Sequence, residues 1–431
     1  MKARLLRAAR TGGARDAGGT YLATGLTLVV NLATGVIIAR AVGPDGRGEL
    51  AAILTLTQVL ALVFAAGCNQ AIAYHLTRNP TEGGRLLSTW TVMLVPLAIL
   101  AVGTAELLVP VIFAAQSNEA KALAEIYVLT IGVALLLLPY QGLLIGDRRF
   151  GVWNLLRFVQ PSLVLIFYLV LLLADAMSVA RALEANFLAA VLVGLAAAVS
   201  SLRLHRWRRP GTALGLRSLW YGLRGVLSTI GATINTRIDL LIMPAFLAAS
   251  SVGSYAVATN VSGLLVSLSA PLWWLVLPNA ARRREGGAGP VLASLHLTLA
   301  IGGVLGFVLY LAAGFVVPAV YGDPFSDAVE PLRILLPGCV LLPAASMLTS
   351  GLYARNRPFT AAVPHLVGSV ITVAGLTLFL TSGGIRAAAI ITSIAYGVVF
   401  LTALVLYRRA AKLSWGAFVP SRATTLGWLG S

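Results

Sequence analysis

Two ionisable residues of this 431-residue chain stand where charge is hardest to place. Arg237 and Asp239 lie near the middle of an apolar run covering 224–248. A guanidinium can fork two parallel hydrogen bonds onto a phosphate and keeps its charge even when buried. Arg237 therefore reads either as a reader of an anionic headgroup or as one half of a structural ion pair with an acid on a neighbouring helix. Asp239 reads as a structural partner or as a proton-coupling acid. On a helix, residues two apart are separated by about 200°, so these two charges face different ways. Asn235 and Asp239, four apart, share a face, as do Thr233 and Arg237.

Neutral amides recur in the other apolar runs: Asn31, Gln58, Asn69, Gln70, Gln141, Gln160 and Asn260. An amide both donates and accepts, which suits hydroxyl-rich ligands such as sugars. Amides also tie helices to one another in lipid. Arg40, near the end of the first apolar run, and Arg47, just beyond it, either guide an anion outward or snorkel to an interface. Other chemistries fall away. Cys68 and Cys339 are embedded in apolar runs, and His75, His205, His296 and His365 are scattered without ligand spacing. No metal, cofactor or ATP-binding motif is expected, and no catalytic residues.

The elements that must position these groups follow from composition. Hydrophobic residues make up 58% of the chain and charged residues 11%, against about 25% charged in a typical soluble domain. Such a chain has too little polar surface to cover itself in water and must be an integral, all-α polytopic membrane protein. Twelve spans are expected, at roughly 20–41, 50–74, 86–113, 124–146, 152–174, 182–202, 224–248, 252–281, 291–319, 332–352, 359–381 and 387–407. With the N-terminus inside, cytoplasmic segments carry 25 Lys and Arg and outer segments carry 6. That asymmetry places both termini in the cytoplasm of a cell that would hold the protein in its cytoplasmic (inner) membrane. It also accounts for most of the +17 net charge, so nucleic acid is not an expected partner and anionic membrane lipid is. The prolines Pro96, Pro139, Pro161, Pro244, Pro271, Pro337, Pro343 and Pro364 fall within spans, where each removes a backbone donor and tends to kink the helix. Trp90, Trp153, Trp207, Trp220, Trp415 and Trp428 read as interface anchors on the inner side.

The halves repeat. Gly142-Leu143-Leu144-Ile145-Gly146-Asp147-Arg148-Arg149-Phe150 follows the fourth span, and Gly351-Leu352-Tyr353-Ala354-Arg355-Asn356-Arg357-Pro358-Phe359 follows the tenth, agreeing at four of nine positions. A similar shift places Gly48 on Gly253, Ala51 on Ala256 and Arg78 on Arg283. Six spans per half give both copies the same orientation, a parallel repeat of two six-helix bundles. The expected division is 1–203 for the first bundle, 204–223 for a basic cytoplasmic linker, 224–408 for the second bundle and 409–431 for a cytoplasmic tail.

The turn Arg40-Ala41-Val42-Gly43-Pro44-Asp45-Gly46-Arg47-Gly48-Glu49 resembles that between the first two helices of polysaccharide flippases. Arg237-Ile238-Asp239-Leu240-Leu241-Ile242, followed by Val252-Gly253-Ser254-Tyr255-Ala256, resembles the start of their second lobe. These transporters belong to the multidrug/oligosaccharidyl-lipid/polysaccharide (MOP) superfamily. The resemblance implies a MATE-like pair of bundles around a central cavity and a transporter rather than an enzyme. Its implied substrate is a polyprenyl-(pyro)phosphate-linked oligosaccharide, moved from the inner to the outer leaflet for surface polysaccharide synthesis, with polysaccharide polymerase machinery as a possible partner. Arg237, Asp239, Asn235, Asn31, Asn260, Gln58 and Arg40 are then the candidate cavity residues. The superfamily's cation-coupled multidrug exporters and its lipid II flippases are the alternatives. The first bundle offers an exporter no carboxylate near its midplane, and lipid II flippases usually have fourteen spans.

Overall fold

The computed structural model describes residues 2–268, 288–355 and 357–419, with side chains described throughout these ranges except at 2–23, 226–230, 232, 234, 268 and 358. The end of the eighth expected span, with Pro271 and Arg283, lies outside the described residues, as does the tail beyond Val419 with Trp428. The described residues form twelve α-helices: α1 (Lys2–Phe64), α2 (Cys68–Arg78), α3 (Gly83–Ile112), α4 (Asn118–Val128), α5 (Thr130–Gly146), α6 (Phe150–Leu173), α7 (Val179–Leu202), α8 (Thr212–Ile242), α9 (Ala249–Leu268), α10 (Gly289–Tyr321), α11 (Val329–Ala354) and α12 (Pro358–Ala411).

Helix is the element that satisfies every backbone donor and acceptor within one segment, which is what hydrocarbon demands. Eight stretches are long and apolar enough to cross a membrane. Six have the length of one crossing, while Thr24–Arg78 and Phe359–Ala411, at 55 and 53 residues, have the length of two. The breaks inside the long ones are specific. Gly43, followed by Pro44, takes φ +68° in α1, and Gly384 takes φ +54° in α12, a left-handed region that side chains with a Cβ rarely enter. α8 (31 residues) and α9 (20 residues) lie at the seventh and the start of the eighth expected spans. The outward surface of the helices is apolar, as bilayer contact requires: Leu107, Phe315 and Leu173 are 79%, 78% and 87% exposed.

The chain divides into two compact units, Met1–Ile230 and Gly231–Ser431, and the division falls inside α8. In the first unit α1 packs on α6, α2 on α5, and α5 on α3 and α7. In the second, α11 packs against α10, α12 and α9. The repeated glycines have a shared physical cause. A Cβ added at Gly142 of α5 would lie 3.1 Å from Ile72 Cβ on α2, and one at Gly351 of α11 would lie 2.3 Å from Tyr407 Cε2 on α12. Small residues let helix backbones approach in lipid, where close packing replaces the hydrophobic effect as the attractive force.

The basic segment after α7 is fastened to the first unit. His205 Nε2 lies 2.8 Å from Asp147 Oδ2, the Gly211 N–H donates to Thr89 Oγ1 (3.1 Å), and Tyr221 stacks on Tyr74 at 3.9 Å between ring centroids. Nearby, Arg157 and Arg224 lie over the rings of Trp153 and Trp220 at 4.5 and 4.6 Å. Two expectations need correction. Trp90 is fully buried in α3 and is a core residue, not an interface anchor. Pro244 is not inside a span helix: α8 ends at Ile242 and Met243–Ala245 is a 3-10 turn, because proline cannot supply the donor that would continue α8.

Replacing Gly351 with Val should destabilise the protein by about 1–3 kcal/mol through overpacking against Tyr407. Gly103→Ala, where an added Cβ meets nothing within 4 Å, should be neutral or stabilising by up to ~1 kcal/mol. Melting temperatures of the purified full-length variants test the contrast, and equal shifts in both would contradict the packing role.

Candidate functional site

The charges of α8 separate as its periodicity requires. Arg237 is exposed, whereas Asn235 and Asp239 are 1% and 2% exposed. The shared face of Asn235 and Asp239 is thus the packed face of the second unit, and the opposite face carries the arginine.

Asp239 is answered from two sides. The Leu240 N–H donates to its Oδ1 at 2.8 Å, and the Tyr255 hydroxyl of α9 donates to its Oδ2 at 2.7 Å. Thr392 Oγ1 of α12 lies 3.3 Å from the same phenol oxygen. Two helices therefore meet at one buried carboxylate, and a third reaches the phenol that answers it. A carboxylate taken out of water without such donors would cost several kcal/mol. Asn235 is different: neither its Oδ1 nor its Nδ2 has a hydrogen-bond partner, although both atoms are buried. It sits against α12 where Gly368 leaves room, since a Cβ there would lie 3.2 Å from Asn235 Oδ1.

Arg237 forms no ion pair with a carboxylate among the described residues, where the two ion pairs are His205–Asp147 and Arg386–Glu330. Its sequence neighbour Asp239 is engaged by Tyr255 and faces the packed side. Among the described residues the structural ion-pair reading therefore has no partner within 4.0 Å of the guanidinium.

In the first unit, Gln58 of α1 lines a cavity of about 240 Å3 together with Gln141 of α5, Gln160 of α6 and Asn186 of α7. The structure therefore gathers three of the seven amides noted in the sequence. It does not bring Asn31 or Asn260 to this cavity: Asn31 is exposed on α1 and Asn260 is half-buried on α9. Arg40 is exposed shortly before Gly43, and Arg47 is buried just after it. Sequence reasoning missed Asn186, which donates to Tyr168 Oη at 2.7 Å. It also missed Tyr255 as the partner of Asp239 and Thr392 as a partner of Tyr255. The signal for Asn186 was present, a lone amide in an apolar run; the pairing of Tyr255 with an aspartate 16 residues away, and with a threonine 137 residues away, has no sequence signature.

Tyr255→Phe should leave Asp239 short of a donor and lower stability by about 1–3 kcal/mol. Adding Asp239→Asn should recover part of that loss, because the neutral amide needs less compensation. Thermal unfolding of the two single variants and the double variant measures the coupling, and strict additivity would contradict it.

The fold has counterparts among known proteins. A lipid II flippase in an inward closed conformation superposes with a TM-score of 0.75 at 15% identity, covering 95% of this chain and 90% of that one. An inward-facing multidrug resistance transporter of the MATE family, in the MOP superfamily, superposes with a TM-score of 0.70 at 18% identity, covering 90% and 96%. Identities this low establish a shared fold. A probable low-salt glycan biosynthesis flippase of Haloferax volcanii is 25% identical over 227 residues, 51% of this chain and 47% of that protein, so the match spans about half the relative's length. Residues 14–278 match the polysaccharide biosynthesis protein family, more than half the chain and including α8 with Arg237 and Asp239. This multi-pass membrane protein, with the fold of the MOP transporters, is a member of the polysaccharide biosynthesis protein family.

Proposed function

We propose that the protein is a flippase that carries a polyprenyl-(pyro)phosphate-linked oligosaccharide from the inner to the outer leaflet of the cytoplasmic membrane, with both termini in the cytoplasm. The observation that carries this reading is Arg237: an exposed guanidinium on a membrane helix, with no ion-pair partner among the described residues, and therefore free to fork onto a phosphate. The glycan would cross on polar side chains while its lipid tail stays in the bilayer, and alternating access would come from motion of the two bundles expected from the sequence. Delivered outside, the product would meet polysaccharide polymerase machinery. The protein acts as a transporter and not as an enzyme in this reading. The outer turn Asp323–Ala328 carries two acids and no base, which gives hydrolytic or transfer chemistry no complementary pair.

The cation-coupled exporter reading has one observation in its favour, the buried Asp239 of the second unit. Against it, that carboxylate is already committed to Tyr255 and the Leu240 N–H. Loss of the gene separates the readings. The flippase reading expects surface polysaccharide to disappear while lipid-linked repeat units accumulate on the cytoplasmic side. Intact polysaccharide with a new sensitivity to cationic drugs would favour the exporter.

At equal protein level, Arg237→Ala should cut glycan delivery by roughly 10- to 100-fold, the loss of a charge-assisted hydrogen bond or pair of bonds. Arg237→Lys should keep part of the activity, since it retains the charge without the fork. Full delivery by the Ala variant would refute the headgroup role.

A further inference from the structure

The cavity of the first unit gathers amides from several helices. Gln58, Gln141 and Gln160 come from three different helices, line one space, and make no hydrogen bond with any described residue. Amides that only tied helices together would bond across the helix contacts, as Asn186 of α7 does with Tyr168 of α6 at 2.7 Å. Gln58 and Gln160 are exposed and Gln141 is half-buried, so their amides stand open to the cavity and can donate to and accept from a ligand entering it.

The chemistry of that partner is narrow. No side chain lining the cavity carries a formal charge, so an anionic or cationic group would enter uncompensated. Each primary amide offers two donors and an acceptor with two lone pairs, matching vicinal hydroxyls or an acetamido group. Tyr127 and Phe187 add ring surfaces to the same lining, against which the C–H face of a sugar can rest. The volume of about 240 Å3 falls below the ~300–1,000 Å3 of drug-sized ligand sites. It holds one ring and not a chain of them.

We propose that this cavity binds a single uncharged pyranose of the lipid-linked glycan, and so selects glycans that carry a neutral or N-acetylated residue. The proposal rests on the flippase reading and adds to it a specificity site lying wholly within the first unit. Arg237 would read the phosphate irrespective of the sugar, and the three glutamines would read the sugar irrespective of the phosphate.

The test uses the full-length protein in liposomes and three probes: bare polyprenyl diphosphate, the same lipid bearing one N-acetylglucosamine, and the same lipid bearing one glucuronic acid. Wild-type protein should move the N-acetylglucosamine probe at least about tenfold faster than the glucuronic acid probe, reflecting the cost of an unpaired charge in the cavity. Gln58→Leu/Gln160→Leu should lower the ratio of N-acetylglucosamine-probe to bare-lipid transport by about 10- to 30-fold, the loss expected for two hydrogen bonds. Equal wild-type rates for the two sugar probes would overturn the proposal without any variant being needed. An unchanged ratio in the Leu variant, or in Gln58→Asn/Gln160→Asn if the Leu pair does not fold, would overturn it as well. Failure to move any probe, the bare lipid included, would overturn the flippase reading itself; movement of the bare lipid without sugar discrimination would remove only this site.

Discussion

A polar group inside hydrocarbon must find a partner, and most of this protein follows from that requirement. It makes the chain helical, since helix alone among open structures satisfies the backbone within each segment. It confines irregular backbone to short breaks such as Gly43-Pro44 and Gly384. It brings Tyr255 to Asp239 and Asn186 to Tyr168. Arg237 and the three cavity glutamines find no such partner within the described chain and stand exposed or half-buried, which is why the proposals made for this protein rest on them.

Two kinds of polar site result, each within its own unit. In the second unit a carboxylate is fully answered, which is the behaviour of a structural or coupling group, and an arginine two residues away is not. In the first unit neutral amides stand open in a cavity without charge. A lipid-linked glycan has the corresponding two chemistries, an anionic (pyro)phosphate and uncharged hydroxyl-bearing rings. A cationic drug has neither. The structural neighbours include both a lipid II flippase and a multidrug transporter, because the fold sets the frame for alternating access and leaves the cargo to the side chains that line it.

Much of this was legible in the sequence. Apolar runs of about 20 residues mark spans whatever surrounds them, and the 3.6-residue period alone separates Arg237 from Asp239 and joins Asn235 to Asp239. The repeated glycines at 142 and 351 were visible as a pattern, but their cause, contact with Ile72 and with Tyr407, needed three dimensions. Trp90 looked like the other inner tryptophans, and only packing distinguishes a buried indole from an interfacial one. Among seven amides of equal standing in the sequence, Gln58, Gln141 and Gln160 share a cavity and Asn31 and Asn260 do not join them. Sequence patterns report a residue's own helix face. They do not report which distant helix answers it, or whether any does.

The central claim is that the unanswered polar groups serve a phosphate-linked sugar. Its most direct measurement places lipid-linked glycan on one side of liposomes containing the wild-type protein and follows its exposure to a membrane-impermeant reagent on the other. The account predicts exposure well above the rate in protein-free liposomes. Exposure at the protein-free rate, from the same liposomes that extrude a cationic dye, would contradict it.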